Sequence, residues 1–140
     1  MPRTTSEPMV PLHDGKLSPA PREVGGATFT IGTEASEVIN VAIQLNDLGG
    51  REITWSAGIL AYLSDNSDGS TVGTAHSTSP AIGTDGLMQD LVADLVFLLT
   101  SESDGDIDID FTDSGAQTVY LVLVMPSGRL VISDAITHAA

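Results

Sequence analysis

The 140-residue chain contains no cysteine. A disulfide framework, a thiolate metal site and a cysteine nucleophile are therefore excluded. Basic residues are scarce as well: five Lys and Arg stand against nineteen Asp and Glu, for a net charge of −14. The imbalance lies entirely in the body, because Arg3, Lys16 and Arg22 offset Glu7, Asp14 and Glu23, whereas residues 26–140 carry only Arg51 and Arg129 against sixteen carboxylates. Such a surface repels phosphate backbones and anionic bilayers, so neither nucleic acid nor membrane is an expected partner. No apolar run approaches the length of a membrane-spanning helix, and residues 1–25 lack the continuous apolar stretch of a secretory leader. A soluble protein made in the cytoplasm is expected.

Catalytic signals are also missing. His13, His76 and His138 sit in no motif, and there is no Gly-x-Ser-x-Gly elbow, His-Glu-x-x-His pair or phosphate-binding glycine loop. Carboxylate pairs occur throughout so acidic a chain, which makes a glycosidase dyad unspecific. The chain reads as a non-enzyme, and no cofactor is expected.

What is present is β-structure behind a proline-rich leader. Pro2, Pro8, Pro11, Pro19 and Pro21 crowd the first 21 residues and disfavour regular helix or a central strand. Residues 1–25 thus read as an extended arm, polyproline-like or disordered, ahead of a domain at residues 26–140. Met9, Val10, Leu12 and Leu17 give this arm apolar anchors, which suit a segment that orders on a neighbouring subunit as well as a floppy leader.

In the body, Ala27–Ile31 and Glu37–Asn46 read as strands, the second with Ile39, Val41, Ile43 and Leu45 on one face. Arg51–Ser64 reads as a third strand region, with Gly58 suggesting a bulge. Asp65–Ser70 is a turn, and the Ser/Thr/Gly stretch to Gly83 reads as short strands or a long loop. Leu87–Val92 and Leu95–Thr100 read as strands turning at Ala93-Asp94. Leu87, Leu91, Leu95 and Leu98 also fit a helix over Gly86–Leu99, and the β context on either side favours strands. Asp106–Thr112 alternates strictly, with Ile107, Ile109 and Phe111 inward. Seven to nine short strands predict an all-β, antiparallel, immunoglobulin-like β-sandwich.

Two polar or aromatic groupings invite a ligand. Glu102, Asp104, Asp106, Asp108 and Asp110 supply alternate carboxylates suited to a hard cation, with Asp104, Asp106 and Asp108 the candidate metal ligands; a solvated strand face explains them equally. Trp55, Tyr62 and Tyr120 would make a sugar-stacking platform if exposed together, or else belong to the core.

The terminal hairpin is the most informative stretch. Thr118–Met125 (TVYLVLVM) and Arg129–Ser133 (RLVIS) flank a Pro126-Ser-Gly128 turn. Val119, Leu121, Leu123 and Met125 point to one face, and Tyr120, Val122 and Val124 to the other, so both faces need cover. The second face, Tyr120, Val122 and Val124, is the predicted interface with a neighbour.

The patterns VINVAIQLND (38–47), ILAYLSD (59–65) and DSGAQTVYLVLVMPSGRLVIS (113–133) resemble small immunoglobulin-like β-sandwich virion proteins of tailed bacteriophages, most of all head decoration, or cement, proteins. The resemblance covers Val38–Ile136 and leaves out the arm. It implies a structural protein on the capsid surface of the virion, with the major capsid protein and copies of itself as partners, a homo-oligomer for which symmetric capsid positions suggest trimers. The alternative is a carbohydrate- or calcium-dependent surface-binding module on a head fibre or tail.

Overall fold

The computed structural model describes the backbone at residues 9–11 and 17–19, and side chains as well at residues 22–139. Among these residues there are twelve strands and no helix. β1 (Met9–Pro11) and β2 (Leu17–Pro19) pair antiparallel as a small hairpin of their own. The arm was expected to be extended, polyproline-like or disordered; six of its residues are extended and pair with one another, and proline is tolerated because a two-stranded ribbon leaves every residue at an edge.

The other ten strands form two antiparallel sheets. One has the order β3 (Val24–Ile31), β4 (Val38–Asp47), β9 (Asp106–Thr112), β6 (Thr78–Ile82). The second has the order β11 (Leu130–Ile132), β10 (Gln117–Val124), β5 (Gly58–Ser64), β8 (Val96–Thr100), β7 (Leu87–Val92), with β12 (Ile136–His138) pairing the first half of β10. Strands β3-β4-β9-β6 facing β11-β10-β5-β8-β7 reproduce the spatial order of an immunoglobulin-like sandwich with two added strands. Here the added pair β7 and β8 follows β6 instead of preceding it.

Alternation builds the core. Ile39, Val41, Ile43 and Leu45 of β4 and Ile107, Ile109 and Phe111 of β9 meet Ile59, Ala61 and Leu63 of β5, Phe97 and Leu99 of β8, and Val119, Leu121 and Leu123 of β10. All are buried, as two inward faces with period two require.

Several expectations change in detail. The region Arg51–Ser64 is a strand only from Gly58; before it lies a connector whose Ile53 is nevertheless fully buried, its N–H donating to the Leu45 carbonyl. Gly58 therefore opens a strand and makes no bulge in the middle of one. The helical alternative over Gly86–Leu99 gives way to the β7–β8 hairpin, which turns at Asp94 with a φ of 64°. Ten sandwich strands exceed the seven to nine anticipated, and the three-residue β12 is one that carried no periodic signal. β3 begins at Val24, which is buried, so the body starts two residues before residue 26.

Candidate docking face

The outer face of the larger sheet is the most unusual surface of the body. Strand register places Leu130, Val124, Leu60, Leu98 and Gln89 in one row across five strands, and Ile132, Val122, Tyr62, Val96 and Val92 in the next. Neither row contains a charge. An outward sheet face normally alternates to polar side chains, and apolar residues persist there only under cover.

The chain covers half of this face itself. The 65–73 loop folds back over the second row: the Tyr62 hydroxyl donates to the Gly69 carbonyl at 2.6 Å, and Gly69 packs beside Leu130 and Ile132. Asp65 ties the loop further, accepting the N–H of Thr74 at 3.1 Å. This corrects one part of the predicted interface. Val122 is fully buried within the single chain, and Tyr120 and Val124 are half-buried, so a neighbour is not needed to cover Val122. The open apolar surface lies one row away, at Leu60 (39% exposed), Leu98 (39%) and Leu130 (38%), and along β7, at Leu87 (69%) and at Val92 (53%), the end of the second row that the loop leaves uncovered. Sequence reasoning missed these residues because Leu60 and Leu98 stand in runs apolar on both faces, where periodicity cannot tell outside from inside.

The entry into the body is tied down near this face. The Arg129 guanidinium, in the β10–β11 turn beside Leu130, donates to the Gly25 carbonyl, and Arg22 lies 5.5 Å over the ring of Trp55. Leu12 and the side chains of Met9, Val10 and Leu17, the anchors read from the sequence, lie outside the described residues.

The opposite sheet presents the contrary chemistry. Asp106, Asp108 and Asp110 alternate outward from β9 and, with Thr28, Thr30, Ala42 and Gln44, Asp106 and Asp108 border a shallow open groove. Among the described residues no cluster of His, Asp and Glu is arranged to hold a metal ion. The Asp108 carboxylate is already occupied: it accepts the N–H groups of Thr84 (2.8 Å) and Asp85 (2.7 Å) and the amide of Asn40 (3.1 Å). Burial alone would raise its pKa, yet these hydrogen bonds outweigh burial and hold it below the ordinary value. Asp104 spends an oxygen on the N–H of Asp106, and Asp106 is pushed up, by burial first and by Asp104 next. Asp104 and Asp108 thus serve as turn and loop ties, and the three candidate ligands do not form a converging set. Nor do the aromatics make a free platform, since Trp55 packs against the core under Arg22 and Tyr62 is bound to Gly69.

No family model and no curated protein sequence matches the chain. Among solved structures, it is similar to a cohesin module from a Clostridium perfringens family 33 glycoside hydrolase, with 13% identity over 82% of this chain and 93% of that one and a TM-score of 0.36. The described residues of the body form an all-β, antiparallel β-sandwich on the strand pairing alone.

Proposed function

We propose that this protein is a non-enzymatic docking module that coats a larger protein assembly, and that the assembly is the head of a tailed bacteriophage, where it acts as a decoration protein. The supporting observation is the uncharged row Leu130–Val124–Leu60–Leu98 on one outer face, set against outward carboxylates on the other. A module with this polarity lays its apolar sheet on a partner and turns its acidic sheet to solvent, where it keeps coated particles apart.

Size argues for many weak contacts rather than one strong one. Five strands about 4.8 Å apart, with rows about 7 Å apart, give an open patch of a few hundred Å². That is well below the roughly 800 Å² per partner of a stable pairwise interface. Repetition over equivalent capsid positions, with the arm adding contacts to a neighbouring copy, makes up the difference through effective concentration.

The test is co-expression with the major capsid protein encoded in the same structural gene cluster, followed by sedimentation of assembled heads. Stoichiometric co-sedimentation supports the reading. Heads that stay bare, together with binding on a glycan array, would replace it with the surface-binding alternative.

A further inference from the structure

His76 and His138 face one another inside one end of the sandwich, away from the docking face. They are 5% and 1% exposed, their ring centroids lie 5.1 Å apart edge-on, and His76 also packs on the Phe111 ring at 5.2 Å. The His138 Nε2–H donates to the Phe111 carbonyl at 3.1 Å, which leaves Nδ1 as its acceptor nitrogen. That Nδ1 and both nitrogens of His76 have no hydrogen-bond partner. Unsatisfied ring nitrogens in so dry a place are costly, and charge on both rings at this separation is costlier.

The surrounding carboxylates do not relieve the pair. Asp113, at the end of β9, is committed to the N–H groups of Ser77 (3.3 Å) and Gly115 (2.9 Å), and Asp94 acts from the β7–β8 turn. Burial first and His138 second lower the His76 pKa, and the opposing pull of Asp113 and Asp94 does not restore it.

His138 belongs to the last strand, and that strand is lightly held. β12 pairs β10 at three positions, Gln117 with His138, Thr118 with Thr137 and Val119 with Ile136. It is tied besides by the Thr118–Thr137 hydroxyl contact at 3.1 Å and by the Ala139 N–H donating to Glu34 Oε1 at 3.0 Å. Detaching it hydrates both imidazoles at once. The pairings of β10 with β5 and β11, which begin at Tyr120 and Val122, stay in place.

We propose that β12 is an acid-released strap: protonation of His76, buried between the rings of His138 and Phe111 with neither nitrogen hydrogen-bonded, frees residues 136–139 from β10 and opens the β10 edge at Gln117–Val119. The closed state holds His76 neutral and the open state lets it titrate normally, so the open state binds more protons. The strap is therefore tight above the ordinary imidazole value of 6.5 and loosens as the pH falls below it. The open fraction rises by up to about tenfold per pH unit as His76 takes up its proton.

Amide hydrogen exchange on the full chain at about pH 7.5 and about pH 5, corrected for the intrinsic pH dependence of exchange, tests this. Protection of residues 117–119 and 136–139 should fall about tenfold or more, while residues 39–43 of β4 keep theirs. His76→Phe retains an uncharged ring against Phe111 and should abolish the response; His76→Gln, which is likewise uncharged across this pH range, serves should the first variant not fold. Equal protection at both pH values, a response that survives in both variants, or a loss spread evenly over β4 and β12 would overturn the proposal.

Discussion

The Tyr62 hydroxyl donates a 2.6 Å hydrogen bond to the carbonyl oxygen of Gly69, seven residues on, and this contact sets the limit of the docking face. Gly69 has a φ of +73°, and a Cβ there would sit 3.1 Å from the Tyr62 hydroxyl and 3.3 Å from Leu130 Cδ1. The loop therefore closes over Tyr62 and Ile132 and reaches the side chain of Leu130, while Leu60 and Leu98 stay open. Had it reached one row further, the sheet would show little open apolar surface.

Loosening this clasp should lower stability and widen the apolar patch together. Tyr62→Phe removes the hydroxyl and should cost about 1 kcal/mol in urea unfolding. Gly69→Ala meets both the left-handed backbone and the crowded Cβ position, and should cost about 1–2 kcal/mol. Both variants should bind more of a hydrophobic dye than the parent at a denaturant concentration where all are folded. Unchanged dye binding would mean that the loop does not shield the second row.

Two neighbouring aspartates on β9 should respond oppositely to neutralisation. Asp108 is held below the ordinary carboxylate value of 3.8, so its stabilisation is complete above that pH and is lost as pH falls through its lowered value. Asp108→Asn should therefore cost about 1–2 kcal/mol at neutral pH, through the N–H groups of Thr84 and Asp85 that lose an ionised acceptor. Asp106 is raised, so its charge opposes folding once the pH exceeds its pKa, and Asp106→Asn should leave stability equal or slightly higher. Thermal unfolding at about pH 7 and about pH 3 separates the two. The deficit of Asp108→Asn should shrink at the lower pH.

The alternating strands were legible because one sheet face is core and the other solvent. Asp106–Thr112 falls where its Asp-Ile alternation predicts, whereas Leu87–Val92, exposed at all but one position, was assigned to a strand by its β context and not by alternation. Periodicity fails where both faces are apolar: Val122 and Leu60 look alike in sequence, and only the position of a distant loop makes the first buried and the second open. That loop itself reads as a polar turn, since its covering is done by a glycine and backbone. The histidine pair was illegible for another reason. His76 and His138 are 62 residues apart in sequence, and each stands in a stretch too short to carry a pattern.

The arm should be separable from the fold. Removing residues 2–21 leaves Arg22 over Trp55 and the Arg129 tie to Gly25, so the β-sheet circular dichroism and the unfolding midpoint should stay within about 1 kcal/mol of the full chain. Binding to heads should weaken strongly if, as proposed, the arm adds contacts that supplement a small sheet patch. Full retention of head binding would remove the arm from the docking mechanism.

Leu60 and Leu98 are directly opposed partners on β5 and β8, which permits a substitution that changes the surface without unbalancing the sheet. Leu60→Lys together with Leu98→Asp replaces an apolar pair by an opposite-charge pair. Each residue is 39% exposed, so the longer part of the Lys side chain can still lie along the sheet, and the fold should lose no more than about 1–2 kcal/mol. A partner that buries this row must instead desolvate two charges, and binding to heads should fall by about thirtyfold or more, roughly 2 kcal/mol. The mirror experiment neutralises the opposite face: Asp106→Asn with Asp110→Asn should leave binding within about threefold, since those side chains point away from the partner. Equal losses from both double variants would place the contact elsewhere, and a loss from the aspartate pair alone would reverse the orientation, with the acidic sheet laid on a basic partner and the apolar row facing out.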